Sequence, residues 1–353
     1  MCYTSYGEEL KMEKASVLSE GYFATTYGKT ANGLVRFTKR YQITSVIDSR
    51  YYGMDAGYVL MGKPNNIKVI SSIAEARALG SETLIVGVAT DGGYLPLEYR
   101  PYIREAIESG MNIVSGLHQY ISDDPEFSEL ALKHGVYITD VRKIFNKYEY
   151  SFTGKIDEVK SKKIAVLGTD SAIGKRTTAV YLNNAMIKHG KKSELIGTGQ
   201  TSWMQGFPYT VVMDSIINDF VAGSLEYIAY KAWTEEKPEY MFLEGQGSIL
   251  HPAYPGGFEI IGALRPDAII LQHAPKRKFY DGFPEYTIPP LEKYIKVLEL
   301  VSDRRVIAIA LNTEEMTKSE IADEKQRLER KFGIPVFDPL EEFERIADVI
   351  ADM

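Results

Sequence analysis

The first half of the chain alternates short apolar runs with amphipathic ones. Segment 101–110 opens with a proline and closes with a glycine, as helices often do. Strands that alternate with helices are typical of βαβ units, so this half predicts a parallel sheet covered by helices. The runs with the length and composition of strands are 44–48, 67–72, 83–89, 112–116 and 136–140.

The second half has more uniformly apolar runs. Uniformly apolar strands are expected where both faces of a parallel sheet are covered. Segments 215–233 and 318–333 carry the helical pattern of the covering elements. We predict an α/β protein with two doubly wound parallel-sheet domains, whose ligands bind at the carboxyl ends of the strands. The strand-like runs of this half are 163–168, 239–245, 267–274 and 305–312.

A polar segment separates the two series. Residues 146–162 are rich in charged side chains and contain Gly154, which interrupts both patterns. We place the boundary here, with a first domain at 1–150, a linker at 151–162 and a second domain at 163–353. Two domains are also the expectation for a chain of 353 residues.

Composition and charge narrow the class of protein. Hydrophobic residues at 44% and charged residues at 25% are ordinary for a globular chain. A formal net charge of -7 argues against nucleic acid as a partner, because binding to phosphate backbones needs a basic surface. Cys2 has no second cysteine to pair with, and the chain has neither a bilayer-spanning run nor a signal-peptide pattern. We expect a cytoplasmic protein with small-molecule partners and no membrane, and leave a homo-oligomer open.

The strongest chemical signal is a glycine-bounded loop between an apolar strand and a helix. In GTDSAIGKRTT, Gly168 and Gly174 let backbone N–H groups turn towards a phosphate, and Lys175 adds a positive charge. This order of strand, loop and helix is that of a P-loop, and it disfavours the alternative of a turn without a ligand. The candidate cofactor-binding residues are Gly168, Thr169, Asp170, Ser171, Gly174, Lys175, Arg176, Thr177 and Thr178.

The loop departs from the common GxxxxGK[ST] pattern in two ways. Five residues separate its glycines, and Arg176 stands between Lys175 and Thr177. We expect either Thr177 or Thr178 to offer its hydroxyl to Mg²⁺, and the sequence leaves that choice open.

The loop resembles the GTDxxxGKT loop of dethiobiotin synthetase and its relatives. After the apolar run YMFL, Glu244 is followed by GQGS, where those relatives carry EGAGG with the acid near Mg²⁺. The resemblance implies that Glu244 is a metal-side carboxylate, and we take it as a candidate catalytic residue as well. The candidate metal ligands are therefore Thr177, from the P-loop pattern, and Glu244. A solvated acid at a strand end is the alternative interpretation.

From about Leu18 to its end, the chain resembles a family of formerly unknown function that includes D-glutamate N-acetyltransferase. The resemblance implies a Rossmann-like first domain, a P-loop second domain, and acetyl transfer from acetyl-CoA to an acidic amino acid. Ser202 stands where family members commonly have glycine, which leaves the exact substrate open. The segments that carry the resemblance are 28–34, 46–57, 115–125, 168–179 (GTDSAIGKRTTA), 197–206 (GTGQTSWMQG) and 243–257 (LEGQGSILHPAYPGG).

Acyl transfer to an amine needs a base near the ammonium group and donors for the oxyanion. His251, directly after EGQGSIL, is the first candidate base, and His273 at the end of the IILQ strand is the second. For each of them, a hydrogen-bonded strand-end histidine is the alternative.

Candidate substrate contacts lie in three segments. The basic run of Lys276, Arg277 and Lys278 can bind a carboxylate, although a short basic run is more often a solvated loop. Near His118, an aspartate that caps a helix is the safer interpretation for Asp123 or Asp124. The substrate candidates are Gln200, Thr201, His118, Lys276 and Arg277.

Asp48 ends a strand where dinucleotide-binding folds place the acid that meets the ribose. The GxGxxG turn of those folds is absent, so NAD binding is not predicted.

Three hypotheses follow. The first is an N-acetyltransferase that moves acetyl from acetyl-CoA to an acidic amino acid such as D-glutamate, with the P-loop on the coenzyme's phosphates. The second is an ATP- and Mg²⁺-dependent kinase or ligase, as the dethiobiotin synthetase resemblance implies. The third is a non-catalytic nucleotide-binding regulator.

Overall fold

The structure, a computed structural model, describes residues 12–351, and Cys2 lies outside this range. The chain forms two compact units. The first comprises the described residues up to Lys147 together with Gln200–Phe207, and the second comprises Tyr148–Gly199 and the described residues from Pro208 onward. Within residues 12–351, no helix is long and apolar enough to cross a membrane.

The strands of both units follow the alternating pattern read from the sequence. In chain order they are β1 (Glu13–Leu18), β2 (Tyr41–Ile47), β3 (Lys68–Ile70), β4 (Thr83–Val86), β5 (Asn112–Ser115), β6 (Ile138–Asp140), β7 (Lys162–Gly168), β8 (Ser193–Ile196), β9 (Tyr240–Glu244), β10 (Ala268–His273), β11 (Phe279–Tyr280), β12 (Phe283–Thr287), β13 (Val306–Leu311) and β14 (Val336–Phe337).

Helices connect these strands. In chain order they are α1 (Lys29–Arg36), α2 (Ala56–Met61), α3 (Ile73–Ala78), α4 (Arg100–Glu108), α5 (Pro125–His134), α6 (Val141–Phe145), α7 (Lys175–Lys188), α8 (Gln200–Met204), α9 (Asn218–Glu236), α10 (Gly257–Leu264), α11 (Leu291–Ser302), α12 (Lys318–Phe332) and α13 (Phe343–Ala351).

The first unit is built on a six-stranded parallel sheet of order β3-β2-β1-β4-β5-β6. This is the strand order of the Rossmann fold, in which the chain reverses direction across the sheet between β1 and β4. Tyr99 and Phe127 are fully buried in a core of aliphatic residues from the sheet and its helices. Burying a side chain of that size stabilises a fold by about 1.5 to 3 kcal/mol.

Helix α5 shows how local sequence sets an element's limits. The Asp124 carboxylate accepts hydrogen bonds from the N–H groups of Glu126 and Phe127, and Pro125 occupies the first helical position. Gly135 ends the helix with φ 65°, a left-handed conformation that glycine adopts without strain. Asp124 is therefore a helix cap, as expected for one of the two aspartates.

The second unit has its own six-stranded parallel sheet, of order β14-β13-β10-β7-β9-β8. Strands β11 and β12 form a separate antiparallel pair. β7 lies in the middle of the large sheet, between β10 and β9. With two parallel-sheet α/β units, the predicted fold class is confirmed.

Helix α8 packs within the first unit, although the sequence places its residues inside the second domain. The side-chain amide of Gln205 donates to the carbonyl oxygens of Gly33 and Phe37, both at 2.9 Å. The hydroxyls of Thr201 and Thr30 are 3.1 Å apart. These contacts join α8 to α1, which lies far from it along the chain.

Candidate phosphate-binding site

Three neighbouring strands of the second unit end in residues predicted to act in the site. Gly168 ends β7, Glu244 ends β9 and His273 ends β10. Because these strands are parallel and adjacent, their carboxyl ends share one edge of the sheet.

The loop after β7 leads directly into α7. Gly174 precedes the helix with φ 102°, which favours glycine, and Ala172 has φ 48°, an uncommon value for a residue with a side chain. No side chain caps the N-terminus of α7. The first-turn N–H groups of a helix have no partner within the helix and carry partial positive charge. The segment therefore has the local geometry of an anion-binding turn.

The Lys175 side chain lies across this loop. Its Nζ donates to the Asp170 carbonyl oxygen at 2.6 Å, and the residue is buried. A Cβ atom at Gly168 would lie 2.9 Å from the lysine Cδ, and one at Gly245 would lie 3.0 Å from the same atom. Glycine at both positions thus leaves room for the lysine stem.

The fully buried Asp170 carboxylate organises the loop. One oxygen accepts from the N–H of Ser171 at 2.7 Å, and the other accepts from the N–H of Asp281 at 3.1 Å and from Arg277 Nη1 at 3.0 Å. Arg277 also donates to the carbonyl oxygens of Ser171 and Ala172. In the structure, Arg277 therefore holds the loop in place.

Lys276 behaves differently from its neighbour Arg277. Its side chain is 41% exposed and pairs with Glu320, whereas that of Arg277 is 16% exposed. Lys276 therefore lies at the surface, as in the alternative of a solvated basic run. A contact of either residue with substrate stays a prediction.

His251 is buried, and its two ring nitrogens have different surroundings. Nδ1 accepts from the N–H groups of Ala253 and Tyr254, both at 3.1 Å, so the proton of the neutral ring is on Nε2. Nε2 lies 3.5 Å from an Asp170 oxygen. Burial lowers the pKa of His251. The charge of Asp170 opposes this shift, and the charge of Lys175 adds to it. In this arrangement His251 presents an N–H, not a free lone pair, towards the loop.

His273 contacts the loop from β10. Its Nδ1 is 3.2 Å from the hydroxyl oxygen of Thr169. Burial lowers the pKa of His273 to about 4, with smaller and opposing effects of Glu324 and Arg327. His273 is neutral near pH 7, but so low a pKa makes it a weak proton acceptor. The geometry favours neither histidine as the base, and both assignments stay predictions.

The two candidate threonines are distinguished by their partners. The hydroxyl of Thr178 donates to Gln272 Oε1 on β10 at 2.5 Å, and the residue is fully buried. Thr177 is half-buried. The Thr178 hydroxyl is therefore bound to a side chain of the sheet. Of the two threonines, Thr177 is the one whose hydroxyl can face a ligand.

Glu244 is buried at the end of β9. One carboxylate oxygen accepts from the N–H of Thr198 at 2.9 Å, and the other lies 3.8 Å from Arg176 Nη1. The Thr198 hydroxyl donates to the Glu244 carbonyl oxygen and accepts from the Gln246 side-chain amide. Glu244 is therefore not the solvated acid of the alternative interpretation.

A cation lies next to the predicted magnesium site, and the assignment of Thr177 and Glu244 as metal ligands stays a prediction. Mg²⁺ requires near-octahedral oxygen ligands at short distance. Next to the Glu244 carboxylate stands the Arg176 guanidinium, and the Thr178 hydroxyl is engaged by Gln272.

Two tyrosines support the loop, although no pattern in the sequence pointed to them. The Tyr294 hydroxyl lies 2.9 Å from the Thr169 carbonyl oxygen, and the Tyr280 hydroxyl lies 2.8 Å from the Leu250 carbonyl oxygen. The two hydroxyls are 2.5 Å apart. They connect the P-loop to the segment that carries His251.

The remaining substrate candidates lie in the first unit. Gln200 Oε1 accepts from Arg142 Nη2 at 3.2 Å, and both residues are buried. Thr201 contacts Thr30, as described above, and His118 packs against Gly93. Arg142 was not singled out in the sequence, although it follows a predicted strand by two residues.

Asp48 lies where dinucleotide-binding folds place a ribose-binding acid, and here its carboxylate is bound by neighbouring groups of the first unit. Its buried carboxylate forms an ion pair with Arg50 at 2.7 Å and accepts from the N–H of Phe23 at 3.0 Å.

The match of both units to known protein domains decides the family. Residues 150–347 match the model described as "Domain of unknown function (DUF1611_C) P-loop domain". Residues 49–144 match "Domain of unknown function (DUF1611_N) Rossmann-like domain". The chain belongs to the DUF1611 family. The family resemblance predicted from the sequence is thereby confirmed.

Two relatives of this DUF1611 protein bear the name D-glutamate N-acetyltransferase. The one from Tritonibacter scottomollicae is 32% identical over 279 residues, which cover 76% of this chain and 80% of the relative. The one from Pseudoalteromonas sp is 34% identical over 275 residues, which cover 76% of this chain and 81% of the relative.

A solved structure shows the same DUF1611 architecture. The crystal structure of a DUF1611 family protein from Anabaena variabilis matches with a TM-score of 0.88 and 26% sequence identity. The match covers 97% of this chain and 100% of the other. The two-unit fold is thus similar over nearly the whole length.

Proposed function

We propose that this protein is an N-acetyltransferase that moves acetyl from acetyl-CoA to an acidic amino acid, with D-glutamate as the first candidate. The observation that carries the proposal is the anion-binding turn around Lys175, in a chain whose relatives are named D-glutamate N-acetyltransferase. The names of the relatives favour an enzyme, and the turn supports a phosphate-bearing cofactor.

Coenzyme A suits such a turn, because its nucleotide half carries a diphosphate and a 3′-phosphate. The N–H groups at the start of α7 and the charge of Lys175 stabilise phosphate oxygens without cleaving a phosphate bond. The loop then works as an anchor. Arg277, which fixes the loop through Asp170, supports this role indirectly.

The acetyl transfer itself is a balanced acyl exchange. The amine nitrogen attacks the thioester carbonyl carbon, the C–S bond breaks, and a proton leaves the nitrogen as the thiol of coenzyme A forms. The reaction consumes no ATP and needs no metal ion, since no phosphoryl group moves.

The deciding experiment measures two products from the purified full chain. Thiol release from acetyl-CoA and ADP or phosphate release from ATP are followed with D-glutamate, L-glutamate or no amino acid, each with EDTA or Mg²⁺. We expect thiol release that requires an acidic amino acid, favours the D enantiomer and persists in EDTA. ADP or phosphate release that requires Mg²⁺, with no thiol release, would favour the kinase or ligase hypothesis instead. Binding of either nucleotide ligand without any turnover would favour the regulator.

A further inference from the structure

The residue after the P-loop lysine is unusual. In the common pattern it is serine or threonine, whose hydroxyl contacts Mg²⁺. Here it is Arg176, in the first turn of α7. Its Nη1 lies 3.8 Å from the carboxylate of Glu244, the acid that the resemblance to dethiobiotin synthetase implies for the metal side of the site.

Both members of this pair are shielded from water. The Arg176 side chain is 17% exposed and that of Glu244 is 3% exposed. Burial lowers the pKa of Arg176 and the Glu244 carboxylate opposes this shift, but an arginine side chain keeps its charge in proteins. A fixed positive charge therefore stands beside the acid, where a divalent cation would otherwise be expected.

We propose that Arg176 replaces the divalent cation of this P-loop, so that the site binds phosphate groups that arrive without a metal ion. The choice of coenzyme A as the ligand rests on the proposed function; the replacement of the metal does not. A guanidinium presents several N–H donors in a plane and can bind two phosphate oxygens at once. It also repels a metal ion that is already bound to a nucleoside triphosphate, so the site selects against such ligands.

The first test is the metal dependence of binding to the full-length protein, measured by calorimetry. The probes are coenzyme A and inorganic pyrophosphate, each in EDTA and in excess Mg²⁺. We expect the affinity of the wild-type protein for both probes in Mg²⁺ to be equal to, or lower than, that in EDTA. An affinity that rises about tenfold or more with Mg²⁺ would overturn the proposal, because a metal ion would then be part of the site.

The second test exchanges the arginine for the residue type of the common pattern. Arg176→Thr should weaken binding of both probes in EDTA by about tenfold or more, as expected for the loss of a charged hydrogen-bond donor. Mg²⁺ should restore part of that affinity, since the variant has a hydroxyl at position 176 and no guanidinium beside the Glu244 carboxylate. Arg304→Thr, at an exposed arginine of the same unit, is the matched control and should leave binding unchanged.

The third test removes the charge of Glu244. Our proposal and a role as metal ligand predict opposite changes in the affinity for the two probes. In Glu244→Gln, the negative charge beside Arg176 is gone, so both probes should bind severalfold more tightly in EDTA. If Glu244 holds a metal ion, the same substitution should weaken binding in Mg²⁺ by a large factor. Because Gln is close to Glu in shape, this variant is informative even if Arg176→Thr fails to fold. Circular dichroism checks the fold of each variant.

The outcomes separate this inference from the proposed function. Metal-independent binding of both probes without acetyl transfer would contradict the proposed function and support the replacement of the metal. Acetyl transfer for which coenzyme A binds only in the presence of Mg²⁺ would support the proposed function and contradict the replacement of the metal. Failure of the wild-type protein to bind either probe would contradict both.

Discussion

The Nη1 atom of Arg277 lies 3.0 Å from the Oδ2 atom of Asp170, and this pair joins the start of the P-loop to the segment after β10. The two residues are far apart in the sequence. Because the Asp170 carboxylate also accepts the N–H groups of Ser171 and Asp281, one side chain ties the loop to two points of the segment after β10.

Asp170→Asn should therefore destabilise the second unit. It removes the charge that faces Arg277, and the loss of one partner from a buried ion pair typically costs about 3 to 5 kcal/mol. We expect the lower end of that range, because Glu314 lies 3.6 Å from the same guanidinium. Urea denaturation measures the free energy of unfolding. The control is Asp157→Asn, at an exposed pair with Arg265, for which we expect a loss of less than about 1 kcal/mol. Equal losses in the two variants would contradict the role of Asp170.

Lys175→Ala should weaken binding of coenzyme A by about tenfold or more, since a hydrogen bond to a charged group contributes about 1.5 to 3 kcal/mol. Calorimetry on the full-length protein measures the change. Lys188→Ala, at the exposed last residue of the same helix, is the control. Unchanged affinity in a folded Lys175→Ala protein would exclude the P-loop as the binding site.

Gly245→Ala and Gly262→Ala should have opposite effects on stability. A Cβ at position 245 would lie 2.2 Å from the Val166 carbonyl oxygen, and such overpacking costs about 1 to 3 kcal/mol. At position 262, inside α10, a Cβ meets no atom within 4 Å, so alanine should stabilise the helix by about 0.5 to 1 kcal/mol. Thermal unfolding of both variants tests this contrast. A Gly245→Ala protein as stable as the wild type would show that the position has room for a side chain.

His273 should make the second unit less stable in acid. Its pKa is about 4 in the folded protein, against an ordinary value of 6.5, so below pH 6.5 the unfolded chain binds the proton more readily. Stability should fall by up to about 1.4 kcal/mol per pH unit between those two values, with no such loss above pH 6.5. The advantage of the wild-type protein over His273→Gln should shrink as the pH drops from 7 to about 4.5. Parallel stability curves for His273→Gln and the wild type would refute the effect.

The sequence predicted those elements whose hydrophobic pattern and end residues lie within a single segment of the chain. The uniformly apolar run at 163–168 corresponds to β7. The proline of 101–110 lies in the first turn of α4, and the glycine follows the end of that helix. Strand β1 was not among the predicted runs, because Ser16 interrupts its apolar pattern. In the fold, the Ser16 hydroxyl lies 2.6 Å from those of Ser45 and Ser81, so polar groups from three places satisfy one another inside the unit.

In the candidate site, too, the sequence predicted the features that lie within one continuous segment and not those that depend on tertiary contacts. Strand, loop and helix are continuous in sequence, so the P-loop was predicted with its residues. Lys276 and Arg277 look alike as a basic pair, yet only Arg277 reaches Asp170. That difference depends on tertiary contacts that one sequence does not reveal. The pairing of Arg176 with Glu244 arises in the same way, from the adjacency of β7 and β9.

The membership of α8 in the first unit has a consequence for biosynthesis. A ribosome that has released residues up to Lys147 has not yet delivered Gln205, the donor to the carbonyl oxygens of Gly33 and Phe37. Domains generally fold in the order in which they are synthesised. The first unit cannot do so, because it includes Gln200–Phe207, which are synthesised after Tyr148–Gly199 of the second unit. The nascent amino-terminal half therefore remains incomplete until translation has passed Phe207, and a gene fragment that stops at the apparent domain boundary encodes an unfinished unit.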